Sequence, residues 1–95
     1  MALWEPFDFR GRAVMSFQAL DRRLHGPKGT AFRAFKRRRE SLVEGEDFLR
    51  LDAVAEADAI EALKAAGLVY QTSVHVVLLT ATGVGKVFGH SDGEA

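Results

Sequence analysis

Residues 16–42 carry apolar side chains at helical spacing on both sides of a Gly26-Pro27 break, which restricts the chain to a few folds. Ser16 offers an N-cap hydroxyl, and in "FQALDRRLH" Phe17, Leu20 and Leu24 recur at i, i+3 and i+7. Gly26 ends that helix, and Pro27 suits the first turn of the next. The second helix is predicted over residues 28–42. On a wheel turning about 100° per residue, Phe32, Phe35 and Leu42 share one side, with Ala31 beside them. Arg33 and Arg37 lie opposite, with Thr30, Ala34, Glu40 and Ser41 around them, and Lys36 and Arg38 flank that strip. Arg39 falls on the apolar side, where it can snorkel at the core edge or meet the negative end of the helix.

The flanking segments predict short strands and two further helices. "PFDFRGRAVM" alternates weakly and can turn at Arg10-Gly11, with Gly11 taking the positive φ. Trp4, Phe7 and Phe9 are assigned to a core or dimer contact rather than to a platform for stacking single-stranded nucleic acid. The chain turns at Gly45 and continues as a strand from Phe48 to Leu51. An alanine-rich helix is expected over 52–67, with Asp52 as cap, Val54, Ile60 and Leu63 as anchors and Gly67 as stop. Residues 68–70 and 73–80 are β-branched and read as a hairpin across "QTS". "ATGVGKVFG" reads as a last short helix weakened by Gly83 and Gly85. The expected fold is α+β: one helix-turn-helix or winged-helix-like domain over 1–95 with short antiparallel strands, fraying at 1–6 and 89–95.

The charge is divided unevenly. Thirteen Lys/Arg balance thirteen Asp/Glu overall, yet residues 10–39 hold ten cations and one anion, Asp21. That asymmetry suggests a face for a polyanion. In a helix-turn-helix the second helix enters the major groove and neighbouring cations hold phosphates. Thr30, Arg33 and Arg37 would then face bases or phosphates, and Arg22, Arg23, Lys28, Lys36 and Arg38 the DNA backbone. Two other readings stay open. The strip could be the solvated face of an ordinary helical hairpin, or the domain could be a protein-interaction module whose basic helix docks an acidic partner or another copy of itself.

Other chemistry finds little support. The chain has no cysteine, so thiolate metal sites and disulfides are excluded. "LTATGVGKVFG" mimics a phosphate-binding loop, but Thr80 stands where glycine is required and Val87 where Ser or Thr is required. His25, His75 and His90 are far apart in sequence, and no serine has a nucleophile's context. The expectation is therefore a non-enzymatic protein without metal or cofactor. The N-terminus lacks the pattern of a signal peptide, and "VVLL" is too short to span a bilayer, which predicts no membrane partner and a cytoplasmic location.

The order of several short motifs adds a resemblance. Gly11-Arg12-Ala13-Val14, Leu24-His25-Gly26, Gly29-Thr30-Ala31, Phe35, Arg38, Leu42, Glu44-Gly45-Glu46-Asp47-Phe48, and Thr80 with Gly83 follow one another as in a known pattern. Over about residues 7–84 the chain resembles the N-terminal domain of phage antirepressor-type proteins, the ORF-six N-terminal family allied to KilA-N. The resemblance implies a double-stranded DNA-binding domain acting in phage or prophage transcription regulation in a bacterial host cell. Such domains usually adjoin a C-terminal effector domain. A homodimer, or a repressor or effector-domain partner, is compatible with it.

Overall fold

The computed structural model describes residues 3–89. Among them the chain forms an α+β domain in the order β1 (Phe7–Phe9), β2 (Arg12–Ser16), α1 (Phe17–Arg23), α2 (Thr30–Arg38), a 3₁₀ turn (Arg39–Ser41), β3 (Phe48–Leu51), α3 (Ala57–Ala65), β4 (Val76–Leu79) and α4 (Ala81–Phe88). The strands form one antiparallel sheet, ordered β1-β2-β4-β3. No helix among the described residues is long and apolar enough to cross a membrane.

The most apolar run, "VVLL", becomes an inner strand, paired on both edges and feeding a core on each face of the sheet. Successive side chains alternate between faces. Leu79, paired with Met15 and Phe48, joins Leu20, Ala31, Phe35 and Val84 in a core under α1, α2 and α4. Leu78 and Val76 point the other way, with Val14 and Leu51, against Ile60 and Leu63 of α3. Leu3 is buried and Trp4 packs beside that first core, so the chain is anchored from Leu3 onward. Phe9 is buried and Phe7 packs beside it in the second, which is the core role expected of these aromatics. Of the fraying expected at 1–6 and 89–95, residues 1–2 and 90–95 lie outside the described residues.

Two expectations about local structure need correction. Residues 68–70 form no strand, and β4 pairs with β2 and β3 instead. Both edges of β4 are thus occupied. Gly67 ends α3 at φ 75°, Val69 enters the core, and the Ser16 hydroxyl donates to the Leu68 carbonyl. The 68–70 segment is therefore an arm that ties α3 to the start of α1. Likewise, α3 starts at Ala57 rather than residue 52. The Asp52 carboxylate accepts the N–H groups of Val54 and Ala55, which closes a turn and leaves Val54 86% exposed instead of anchoring the helix.

The β1–β2 turn places both central residues at positive φ, 53° for Arg10 and 84° for Gly11. That is the twist a two-residue hairpin prefers, and it asks of Arg10 a left-handed backbone that only Gly11 adopts without steric cost. The Arg10 guanidinium lies over the Phe9 ring and pairs with Glu56 at 2.7 Å, contacts that help offset the strain.

The glycine-containing final helix does form, and Thr80 caps it by accepting the Gly83 N–H. It also brings two separated motifs together. The Asp47 carbonyl accepts the Thr80 N–H at 3.0 Å, and the Asp47 carboxylate accepts bonds from Val43 N–H, Thr82 and Lys86. Burial alone would raise the Asp47 carboxyl, but these donors and the Lys86 charge hold it below the usual carboxylate value. Glu46-Asp47-Phe48 and Thr80–Gly83 thus serve as a clasp between the β3 approach and α4.

Candidate nucleic-acid interface

Helix α2 is positioned by a carboxylate that belongs to α1. Asp21 is 2% exposed, and its two oxygens accept the N–H groups of Ala31 at 2.7 Å and Gly29 at 3.0 Å. These are among the donors left open at a helix N-terminus, and a carboxylate there also opposes the helix dipole favourably. The lone anion of the basic segment therefore fastens the second helix to the first. The turn between them is ordered at both ends. His25 takes the left-handed position after α1 at φ 57°, with the His25 and Gly26 N–H groups returning to Arg22 and Asp21 carbonyls. Gly29, at φ 98°, is the N-cap of α2, so the helix begins later than Lys28.

Tyr70 completes this joint by donating to Asp21 at 2.6 Å. Its hydroxyl is pushed up to about 12 by burial, then by the bond to Asp21 and that carboxylate's charge, against the opposing charge of Arg22. A native value above the ordinary 10.0 stabilises the fold fully below pH 10, and that contribution is lost as pH rises through the native value. Tyr70 is the single tyrosine, so absorbance titration reads it alone. The expected native midpoint lies near 12, and Asp21→Asn should lower it. A native midpoint at the free-tyrosine value would rule out the joint.

On the inner side of α2, Ala31 and Phe35 are buried. Phe35 meets Phe17 and Phe48 at centroid distances of 5.4 and 5.2 Å. Phe32, expected to be a second anchor, is 45% exposed and meets Phe17 in a T-shaped contact at 5.6 Å. One aromatic ring and one alanine, rather than two rings, hold the helix down. Regular α-helix stops at Arg38 and tightens into the 3₁₀ turn, short of the expected residue 42. Arg39 lies 4.6 Å from the Phe48 ring, at the core edge as expected of its place on the wheel.

The outer side carries Arg33, Lys36, Arg37 and Arg38, all exposed. Among the described residues the cations in ion pairs are Arg10, Arg23, Arg50 and Lys86. None is Arg22, Arg33, Arg37 or Arg38, so these guanidiniums pair with no carboxylate among the described residues. Lys36 has one neighbour of note, the Phe32 ring at 5.4 Å.

Three other candidate residues are engaged within the domain. Arg23 pairs with Glu5 at 3.1 Å, which compensates its charge. Lys28 donates to Thr72 at 2.6 Å and lies over the Tyr70 ring. Thr30 donates to the Pro27 carbonyl at 2.7 Å, closing the turn rather than presenting its hydroxyl proton outward. The structure therefore gathers Arg33, Lys36, Arg37 and Arg38 on one exposed helix, leaves Arg22 exposed on its neighbour, and gives Arg23, Lys28 and Thr30 local roles. The carboxylate of Asp21 was the residue sequence reasoning missed. Its only signal was its isolation within a run of cations.

No family model, no curated protein and no solved structure matches the chain.

Proposed function

We propose that this is a double-stranded DNA-binding domain of winged-helix-like architecture, with α2 as its recognition helix. The observation that carries the proposal is the outer strip of α2: four exposed cations, none of them paired with a carboxylate among the described residues. Charges held outward in this way remain available to phosphates and to guanine edges, for which the arginine fork is suited. The α1–α2 connection supports the same reading, because the Asp21 joint fixes the second helix on the first without using its outer face. The resemblance to phage antirepressor N-terminal domains makes prophage regulation the proposed setting, with any effector activity residing elsewhere.

Substitution of charge tests the assignment. Arg33→Gln with Arg37→Gln should weaken binding to a mixed-sequence duplex by about one to two orders of magnitude, measured by fluorescence anisotropy. Arg10→Gln with Lys64→Gln removes the same charge away from α2 and should change it far less. Lys86 is unsuitable as a control, because it holds the buried Asp47 carboxylate. Equal losses in the two double variants would contradict the assignment of α2.

A further inference from the structure

A groove of about 630 Å³ opens on the side of α2 away from its outer strip. It exists because α2 is short and leaves part of the sheet face uncovered. One wall is α2 and the 3₁₀ turn after it, through Phe32, Phe35 and Arg39; the floor is sheet, at Phe48, Arg50 and Val77; the facing wall is the loop running to β4, with the exposed Val74. The Lys28–Thr72 hydrogen bond joins the helix side to the loop side, so a continuous chain passing that way would have to break it. Volume and apolar lining match a site for a small molecule.

The electrostatics select among small molecules. Lys28, Arg39 and Arg50 line the groove, and no aspartate or glutamate does. The Arg39 guanidinium lies over the Phe48 ring, and its one hydrogen bond among the described residues is a long 3.5 Å contact to the Leu42 carbonyl, which leaves most of its donor fork unused. Arg50 reaches Asp52 only at 3.9 Å, on the exposed surface, where such a pair is weak. Two guanidiniums beside an aromatic floor thus face a groove whose own lining holds no carboxylate, Asp52 lying outside it.

We infer that this groove binds a small amphiphilic carboxylate, an aromatic ring system or medium-length alkyl chain bearing one carboxyl group. The apolar part fills the space between Phe32 and Val74, and Arg39 and Arg50 take the carboxylate. This inference stands apart from the DNA-binding proposal, since it uses the opposite side of α2 and neither Arg33 nor Arg37.

Calorimetric titration of the whole chain with 2-naphthoate, decanoate and neutral 2-naphthamide tests it. At least one carboxylate should bind saturably at one site, with Kd on the order of 0.1 mM for a ligand of this size. The amide should bind about tenfold more weakly or worse. Arg39→Gln and Arg50→Gln should each remove most of the preference for carboxylate. Val74→Trp, a loop substitution that fills the groove from its exposed wall, should abolish binding of both forms while circular dichroism remains native. The comparison of the two carboxylates distinguishes an aromatic from an aliphatic ligand. No saturable binding of either carboxylate, equal binding of naphthoate and naphthamide in the unaltered chain, or undiminished binding in Val74→Trp would overturn the inference. So would saturable binding of an acidic peptide with neither carboxylate bound.

Discussion

Binding to a duplex should weaken by about a thousandfold between 50 and 200 mM salt, because each phosphate neutralised releases condensed counterions. The figure follows from about six engaged cations, a slope near −0.9 per contact and a fourfold change in salt. Five are Arg22, Arg33, Lys36, Arg37 and Arg38; Lys28 becomes the sixth by exchanging Thr72 for a phosphate, and Arg23 is set aside because Glu5 compensates it. The prediction concerns a chain of zero formal net charge, which would show little attraction to DNA if its charges were evenly mixed. A steep slope therefore requires that the cations act locally, from one surface. Each of Arg33→Gln and Arg37→Gln should reduce the slope by about one unit, and Lys64→Gln should leave it alone. Anisotropy titrations at several salt concentrations measure all of this. A flat salt response would remove the electrostatic basis of the DNA-binding proposal.

The largest effect on stability is expected at Gly83, within α4. Helix propensity alone would make Gly83→Ala stabilising by about 1 kcal/mol. The surroundings reverse the sign. A Cβ there would lie 1.9 Å from the Asp47 carbonyl oxygen and 2.9 Å from its carbon, backbone atoms that no rotamer change can move aside. That carbonyl accepts the Thr80 N–H and hydroxyl, and the same residue's buried carboxylate takes Thr82 and Lys86. Separating α4 from the 43–47 turn would loosen the whole clasp. The net cost should be about 2–4 kcal/mol, overpacking and lost buried hydrogen bonds together. For a domain of this size that corresponds to a fall in Tm of roughly 10–25 °C, readable by circular dichroism. A Tm equal to or above that of the unaltered chain would show that α4 does not approach Asp47 so closely.

The helix pair was legible because its signals are local. Ser16 and the Phe17/Leu20/Leu24 spacing act within a turn or two, and the structure realises both, although His25 rather than Gly26 takes the left-handed stop and Pro27 stays outside α2. The pairing of β4 was not legible. "LVY" lies next to "SVHVVLLT" in sequence, but β2 and β3 compete for the same two edges of β4, and periodicity carries no information about which strand wins. Asp52 shows a different failure. Its side chain can cap a helix or close a turn with the same two acceptor oxygens, and here it closes a turn.

The candidate site divides along the same line. That Arg33 and Arg37 face outward follows from the wheel, since Ala31 and Phe35 fix which side is buried. Phe32 stands at the border of that buried side, and its exposure depends on how far the sheet and the 70–75 loop extend, which a wheel cannot show. The partners of Arg23, Lys28 and Asp21, namely Glu5, Thr72 and Tyr70, come from distant parts of the chain. The groove shares that origin, being assembled from α2, the sheet and the loop before β4.

Titration of isotopically labelled chain with an unlabelled duplex, followed by amide NMR, tests the role of α2 most directly. The account predicts that the largest shifts cluster on residues 29–38, with Arg22 beside them, while α3 and the clasp of Asp47 with α4 stay near their free positions. Shifts concentrated on α3 or on the β1–β2 turn, with residues 29–38 unmoved at saturation, would contradict it.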